Sequence, residues 1–221
     1  MAHGGQGTWL IEKVLPQAKI LSIDINLNHR KYISKKVQYS TIDFSNQNFL
    51  NLPKNSLVLF ECHKNAVERF KQAKYFGFKH MVYGDNYPVG KGDCYTLKHA
   101  IAKSGFRRSI AFFDIVKSNI FLLKELFKKK FIKNYINKLD LFKLRLNDVP
   151  PNDHDFDYIN QNIDVYYEFP PLFKTPKTRW GDSWDEYPTL QPILEEEEKN
   201  KHKLAYEEAN TYTWFTYLRF K

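Results

Sequence analysis

A chain of 221 residues with 43% hydrophobic and 16% aromatic content can bury a substantial core, which excludes a disordered polypeptide and points to one elaborated domain. Its 34 Lys and Arg against 25 Asp and Glu leave a net charge of +9, which favours phosphorylated ligands, nucleic acid or anionic surfaces without choosing among them. Two widely separated cysteines, Cys62 and Cys94, exclude a disulfide framework and lack metal-ligand spacing, and no apolar run approaches the roughly 18 residues that span a bilayer. The resulting expectation is a cytoplasmic protein with no membrane segment.

In chain order, "GGQG" at 4–7 brings glycines suited to a ligand-binding turn directly before "TWLIEKVL", whose apolar spacing predicts a short helix stopped by Pro16. Such a loop ordinarily follows a strand, and three residues leave no room for one. The first strand of the sheet is therefore expected to be missing from the chain or supplied by another segment. "AKILSIDIN" then reads as a strand ending at Asp24, "KVQYSTIDF" as a second ending near Asp43, and "SLVLFECH" as a third whose end carries Glu61 and His63. "NAVERFKQAKYFGF" is a helical stretch closed by Gly77, and "HMVYGDN" a fourth strand ending at Asp85 and Asn86. Strands alternating with helices, with polar residues at the strands' carboxyl ends, predict an open parallel sheet that binds ligands outside those ends.

The second half is less regular. Residues 94–104 and 110–146 read as mainly helical, and the basic stretch 124–145 as an amphipathic helix with a solvated Lys face. Asp93 is an acceptable N-cap for a helix beginning near Tyr95. "PPNDHDFDY" at 150–158 reads as a polar break. "IDVYYEFPPLF" and "TYTWFTYLRF" (211–220) read as strands that pair antiparallel at one edge of the sheet, joined by an excursion over about 170–210 that includes a helical region near 193–209. Within that excursion, Trp180 and Trp184 are flanked by Arg179, Asp182 and Asp185, a combination able to stack on a substrate ring and fix its hydroxyls. The same tryptophans could instead pin the loop to the core. No domain boundary is evident.

Asp24 follows Gly7 by 17 residues at the end of the next strand, where a carboxylate can accept hydrogen bonds from ribose hydroxyls. With "GGQGTWL", "ILSIDIN", "LFECHKNAVERF" and "HMVYGDNYP", this layout resembles the class I S-adenosylmethionine-dependent methyltransferases. Within them it is most similar to the branch of macrocin-type O-methyltransferases and cephalosporin hydroxylase-like proteins. The resemblance spans residues 4–100 and departs from the family pattern at Glu61, where an Asp is usual, and at Gly84-Asp85, where an acidic pair is usual.

The resemblance implies a mostly parallel, twisted Rossmann-like α/β sheet with an antiparallel C-terminal edge strand, in a single domain over 1–221. It implies S-adenosylmethionine as cofactor, held by Gly4, Gly5, Gly7, Asp24 and Asp43. It further implies O-methylation of a small hydroxylated or sugar-containing acceptor, with Mg²⁺ among the expected cofactors. His63 and Asp85 are the candidate catalytic residues, Glu61, Asp85 and Asn86 the candidate metal ligands beside His63, and Trp180 and Trp184 the candidate substrate contacts. A homo-oligomer is left open, and nucleic acid is disfavoured for want of a stacking platform. The competing readings are a non-catalytic Rossmann-like binding protein and a nicotinamide oxidoreductase, the latter disfavoured because "GGQGTW" lacks the G-x-G-x-x-G spacing.

Overall fold

The computed structural model of the chain describes residues 5–107 and 148–221; Gly4, the whole of the 110–146 helical expectation and the basic stretch 124–145 within it fall outside them. Two compact units are present, Met1–Pro53 and Lys54–Lys221.

In the first unit, helix α1 (Gln6–Val14) starts from Gly5, whose φ of 81° lies in the left-handed region. A β-carbon at Gly5 would sit 2.7 Å from the carbonyl oxygen of Tyr32, so only glycine fits where these two backbones approach. The helix stops just ahead of Pro16, as its missing N–H and fixed φ require. Strands β1 (Ile20–Ile23) and β2 (Val37–Ser40) pair in parallel, with Ile20 opposite Val37. The buried hydroxyls of Thr8 and Ser22, 3.2 Å apart, tie the first turn of α1 to β1. The Glu12 carboxylate accepts hydrogen bonds from Tyr32 and Ser34, which draws the β1–β2 connection onto the same helix and holds the carboxyl below its ordinary pKa.

The second unit is a four-stranded sheet with strands β3 (Leu57–Phe60), β4 (His80–Tyr83), β5 (Ile163–Glu168) and β6 (Thr216–Phe220) in the order β3-β4-β6-β5. β3 and β4 are parallel, linked by helix α2 (Ala66–Tyr75), while β6 runs antiparallel to both of its neighbours. This corrects the sequence expectation in two respects. The last strand pairs with β5 as expected but is interior, with β5 at the edge. Pairing is also not mostly parallel, because one reversed strand inserted between two others makes two antiparallel seams. The reason is chemical: Thr216, Leu218 and Phe220 are all buried, so β6 presents a continuous face to the core. β5 carries the exposed Asp164 and Tyr167, whose charge and bulk suit an open edge.

Helix α2 begins at Asn65, whose carboxamide oxygen accepts from the Val67 and Glu68 N–H groups, and closes at Gly77. Its buried stripe of Ala66, Val67, Phe70 and Ala73 lies on the sheet. Phe70 is fully buried, 4.7 Å from Phe220 and edge-on to Tyr158 at 6.0 Å. Tyr158 belongs to helix α4 (His154–Asn162), which occupies much of the segment expected to be a polar break; Asp155 and Asp157 in its first turn complement the helix dipole. Helix α3 is short, Leu97–Ile101. The excursion after β5 holds a 3₁₀ turn at Trp184–Glu186, and farther on a 3₁₀ turn at Glu196–Asn200 and helix α5 (Lys203–Glu207) stand in place of the single helix expected near 193–209.

Phe70 joins α2, α4 and β6 in one contact, so Phe70→Ala is expected to cost about 3–5 kcal/mol of stability, read as a lowered urea midpoint. A change below about 1 kcal/mol would show that Phe70 is not central to this core.

Candidate functional site

The glycines and the two acids of the first unit gather at one end of its strands. α1 packs with its first turn beside Ser22, so Gly5 and Gly7 lie toward the carboxyl end of β1, where Asp24 follows directly. Asp24 continues the ladder through its N–H to the Ser40 carbonyl, 3.1 Å, and its Oδ1 accepts from the Asn26 N–H at 3.0 Å. Asp43 lies beyond β2, where its Oδ1 accepts from the backbone and hydroxyl of Ser45 and caps a 3₁₀ turn over Phe44–Asn46. The helix N-terminus with its unpaired N–H groups and the Asp24 carboxylate thus share the edge at which parallel strands present ligands.

The second unit builds a polar constellation at the carboxyl ends of β3 and β4. His63 follows β3 and Asp85 follows β4, and because these strands are parallel neighbours the two residues emerge side by side. His63 Nδ1 is 2.8 Å from Asp93 Oδ1, and His63 Nε2 is 4.0 Å from Asp85 Oδ2. Asp85 is buried with a φ of 57°, and its Oδ1 accepts a 2.6 Å hydrogen bond from the Tyr87 hydroxyl. That hydroxyl in turn accepts from Arg179 Nη1 at 2.9 Å. Burial and the bond to Asp85 push the Tyr87 pKa far up, so its proton stays in place. The Tyr87 ring is packed against Gly92, where a β-carbon would collide with it.

The imidazole of His63 has its pKa raised above the ordinary value, first by the hydrogen bond to Asp93, against partial burial, and then by the charges of Asp93, Asp85 and Glu61. An imidazole whose Nδ1–H is donated to a carboxylate has its lone pair on Nε2, the nitrogen that faces Asp85. Asp93 was expected as a helix cap; instead α3 starts at Leu97 and is capped by the Thr96 hydroxyl, which frees Asp93 for His63.

Asn86 does not join this group. Its side chain is fully buried, Nδ2 donates to Thr216 Oγ1 at 2.7 Å and to the Tyr166 hydroxyl at 3.0 Å, and Oδ1 accepts from the Lys98 N–H. The carboxamide expected as a metal ligand is committed to holding β4, β5, β6 and α3 together. Glu61 is exposed at the end of β3. Among the described residues, no group of three or more His, Cys, Asp or Glu is arranged to hold a metal ion.

Trp180 and Trp184 sit in an aromatic cluster around Tyr87 and Trp214. Trp184 is buried and donates its indole N–H to the Thr175 carbonyl at 2.8 Å. Trp180 stacks on Trp214 with ring centroids 5.3 Å apart and meets Tyr87 edge-on at 5.4 Å. Both rings therefore fasten the excursion beside the carboxyl end of β4, and Arg179 reaches Tyr87 because its neighbour is fixed there. Nearby, a groove of about 330 Å³ is lined by Val89, Ile101, Tyr166 and Tyr187 around the 2.8 Å Lys98–Glu168 ion pair. Cys94 is buried, which pushes its thiol up to about 12 and leaves it unreactive.

Tyr87 carried no sequence signal beyond its place in a turn-rich loop. Asp93 had one, a carboxylate before a helix, but it led to the wrong partner. No family model, curated protein or solved structure matches the chain. No helix among the described residues is long and apolar enough to cross a membrane.

Asp93→Asn keeps a hydrogen-bond acceptor beside His63 but removes the charge. The His63 pKa is expected to fall, read from its ring-proton shifts across pH by NMR; an unmoved titration would separate Asp93 from His63.

Proposed function

We propose that the chain is an S-adenosylmethionine-dependent methyltransferase with a Rossmann-like sheet, acting on the hydroxyl of a small acceptor, with His63 as general base. The observation that carries this reading is the His63–Asp93 contact, which leaves a basic Nε2 at the carboxyl ends of two parallel strands. It is supported by the left-handed glycine that opens α1 beside the Asp24 strand end, and by the reversed last strand entering between two that run together, an arrangement fitting a methyltransferase-type sheet.

The donor, when bound, supplies a sulfonium-activated methyl group. The protein's part is position and proton transfer. Gly5 and Gly7 give close backbone approach and unpaired N–H groups, and Asp24 offers a carboxylate oxygen to ribose hydroxyls. His63 Nε2 would accept the acceptor's hydroxyl proton, Asp93 fixes the tautomer that leaves this nitrogen basic, and Asp85 would stabilise the imidazolium that results. The residues near His63 do not fit Mg²⁺: Asn86 is consumed by the sheet, His63 Nδ1 by Asp93 and one Asp85 oxygen by Tyr87, and among the described residues no three His, Cys, Asp or Glu side chains gather to hold a cation.

A base must be neutral to act, so methyl transfer is expected to rise with pH as His63 loses its proton. Because Asp93 raises that pKa, the rising limb lies above the ordinary value of 6.5. The direct test is calorimetric titration with S-adenosylmethionine, S-adenosylhomocysteine and NADH. Binding of the adenosyl-sulfur ligands, weakened by about 1–3 kcal/mol in Asp24→Ala, is the expected result. Binding of NADH alone would favour an oxidoreductase, and silence with all three a non-catalytic binding protein.

A further inference from the structure

We infer that Arg179 anchors a carboxylate on the molecule that reaches His63, so that the acceptor is a small hydroxy acid and not a neutral sugar. The identity of the acceptor rests on the role proposed for His63; the anchor does not. Two other cations at this edge are already paired: Lys91 lies 2.6 Å from Asp182, and Lys98 lies 2.8 Å from Glu168. Arg179 is exposed and, among the described residues, has the Tyr87 hydroxyl as its single hydrogen-bond partner and no carboxylate. A guanidinium has five N–H donors, so most of its fork is open to a ligand.

The side chain is also held for this purpose. Its guanidinium carbon lies 5.3 Å from the Tyr87 ring centre and 5.8 Å from that of Trp180, an arrangement that reduces the entropy lost when an anion docks. Since Tyr87 gives its proton to Asp85, its oxygen is obliged to accept from Arg179, and the fork's orientation is set by the catalytic carboxylate itself. Arg179, Tyr87, Asp85 and His63 are successive neighbours at 2.9, 2.6 and 4.0 Å, which ties the anchor to the base through one polar series.

Charge selects the anion. Glu61, Asp85 and Asp93 all act on His63, so the edge already carries three carboxylates near the base. Close to these three groups a monoanionic carboxylate is repelled less than a dianionic phosphate, and both can make the paired contact that a guanidinium offers.

The test is an NMR titration of the full chain, following the Arg179 Nε–H and Trp180 indole signals. The probes are lactate, its neutral counterpart 1,2-propanediol, and inorganic phosphate. Saturable shifts with lactate, weaker ones with phosphate and none with the diol are expected. Arg179→Lys, which keeps the charge and loses the fork, should weaken lactate about tenfold, and Arg179→Gln should abolish binding. Equal responses to lactate and the diol in the unaltered protein would overturn the anchor whatever the variants do. Lactate affinity unchanged in both variants, or phosphate binding tighter than lactate, would overturn it as well. Adenosyl-ligand calorimetry on the same samples reports separately on the methyltransferase reading, so failure of one leaves the other identifiable.

Discussion

The second unit is organised around the buried side chain of Asn86. Its three hydrogen bonds reach β6 through Thr216, β5 through Tyr166 and the start of α3 through the Lys98 N–H, so both polar atoms of the carboxamide are answered. A buried carboxamide left unanswered would cost about 1–3 kcal/mol per lost partner, which makes this position intolerant of a merely similar residue. With Asn86 fixed from three sides, the residue before it has little conformational choice. Asp85 takes a left-handed φ of 57°, and its carboxylate turns toward His63 and Tyr87. The placing of Asp85 beside His63 is thus an output of how the sheet is stitched.

A second strained residue stands across the same seam. Trp214 has a φ of 54° two residues before Thr216, which pairs with Tyr83 at the end of β4. It is fully buried, with Trp180, Trp184 and Tyr212 packed on it. Left-handed backbone at bulky residues persists only where the surroundings over-determine it, and it concentrates where a site needs it. Here the aromatic packing holds Trp214 in place, and Trp214 holds the loop that delivers Arg179.

The strands were legible because each is a compact apolar run bounded by turn formers, and α2 because its cap, stripe and closing glycine agree. Strand order was not. Nothing local in "TYLRF" distinguishes an edge from an interior position, which is decided by burial on a face that forms only once β4 and β5 are both present. α4 was hidden by the acids of its first turn, which read as polar loop yet stabilise a helix start. His63, Asp85 and Glu61 could be placed because strand ends are visible in sequence. Their partners could not, since Asp93 lies 30 residues from His63 and Arg179 lies 92 from Tyr87. Asn86 was misjudged for a related reason: a strand-end carboxamide has the same sequence signature whether it faces a ligand or the sheet.

The interior position of β6 also bears on how this protein is made. The His80–Tyr217 hydrogen bond joins residues 137 apart, so the middle of the sheet waits for the last strand to leave the ribosome. Until then β4 and β5 each show an unpaired flank, and β3–α2–β4 is the largest part of this sheet that can assemble from local contacts. Long-range pairing of this kind slows folding and prolongs exposure of strand edges. Nascent chains halted before Thr216 would therefore be natural clients for chaperones, even though the finished sheet pairs β6 along both flanks.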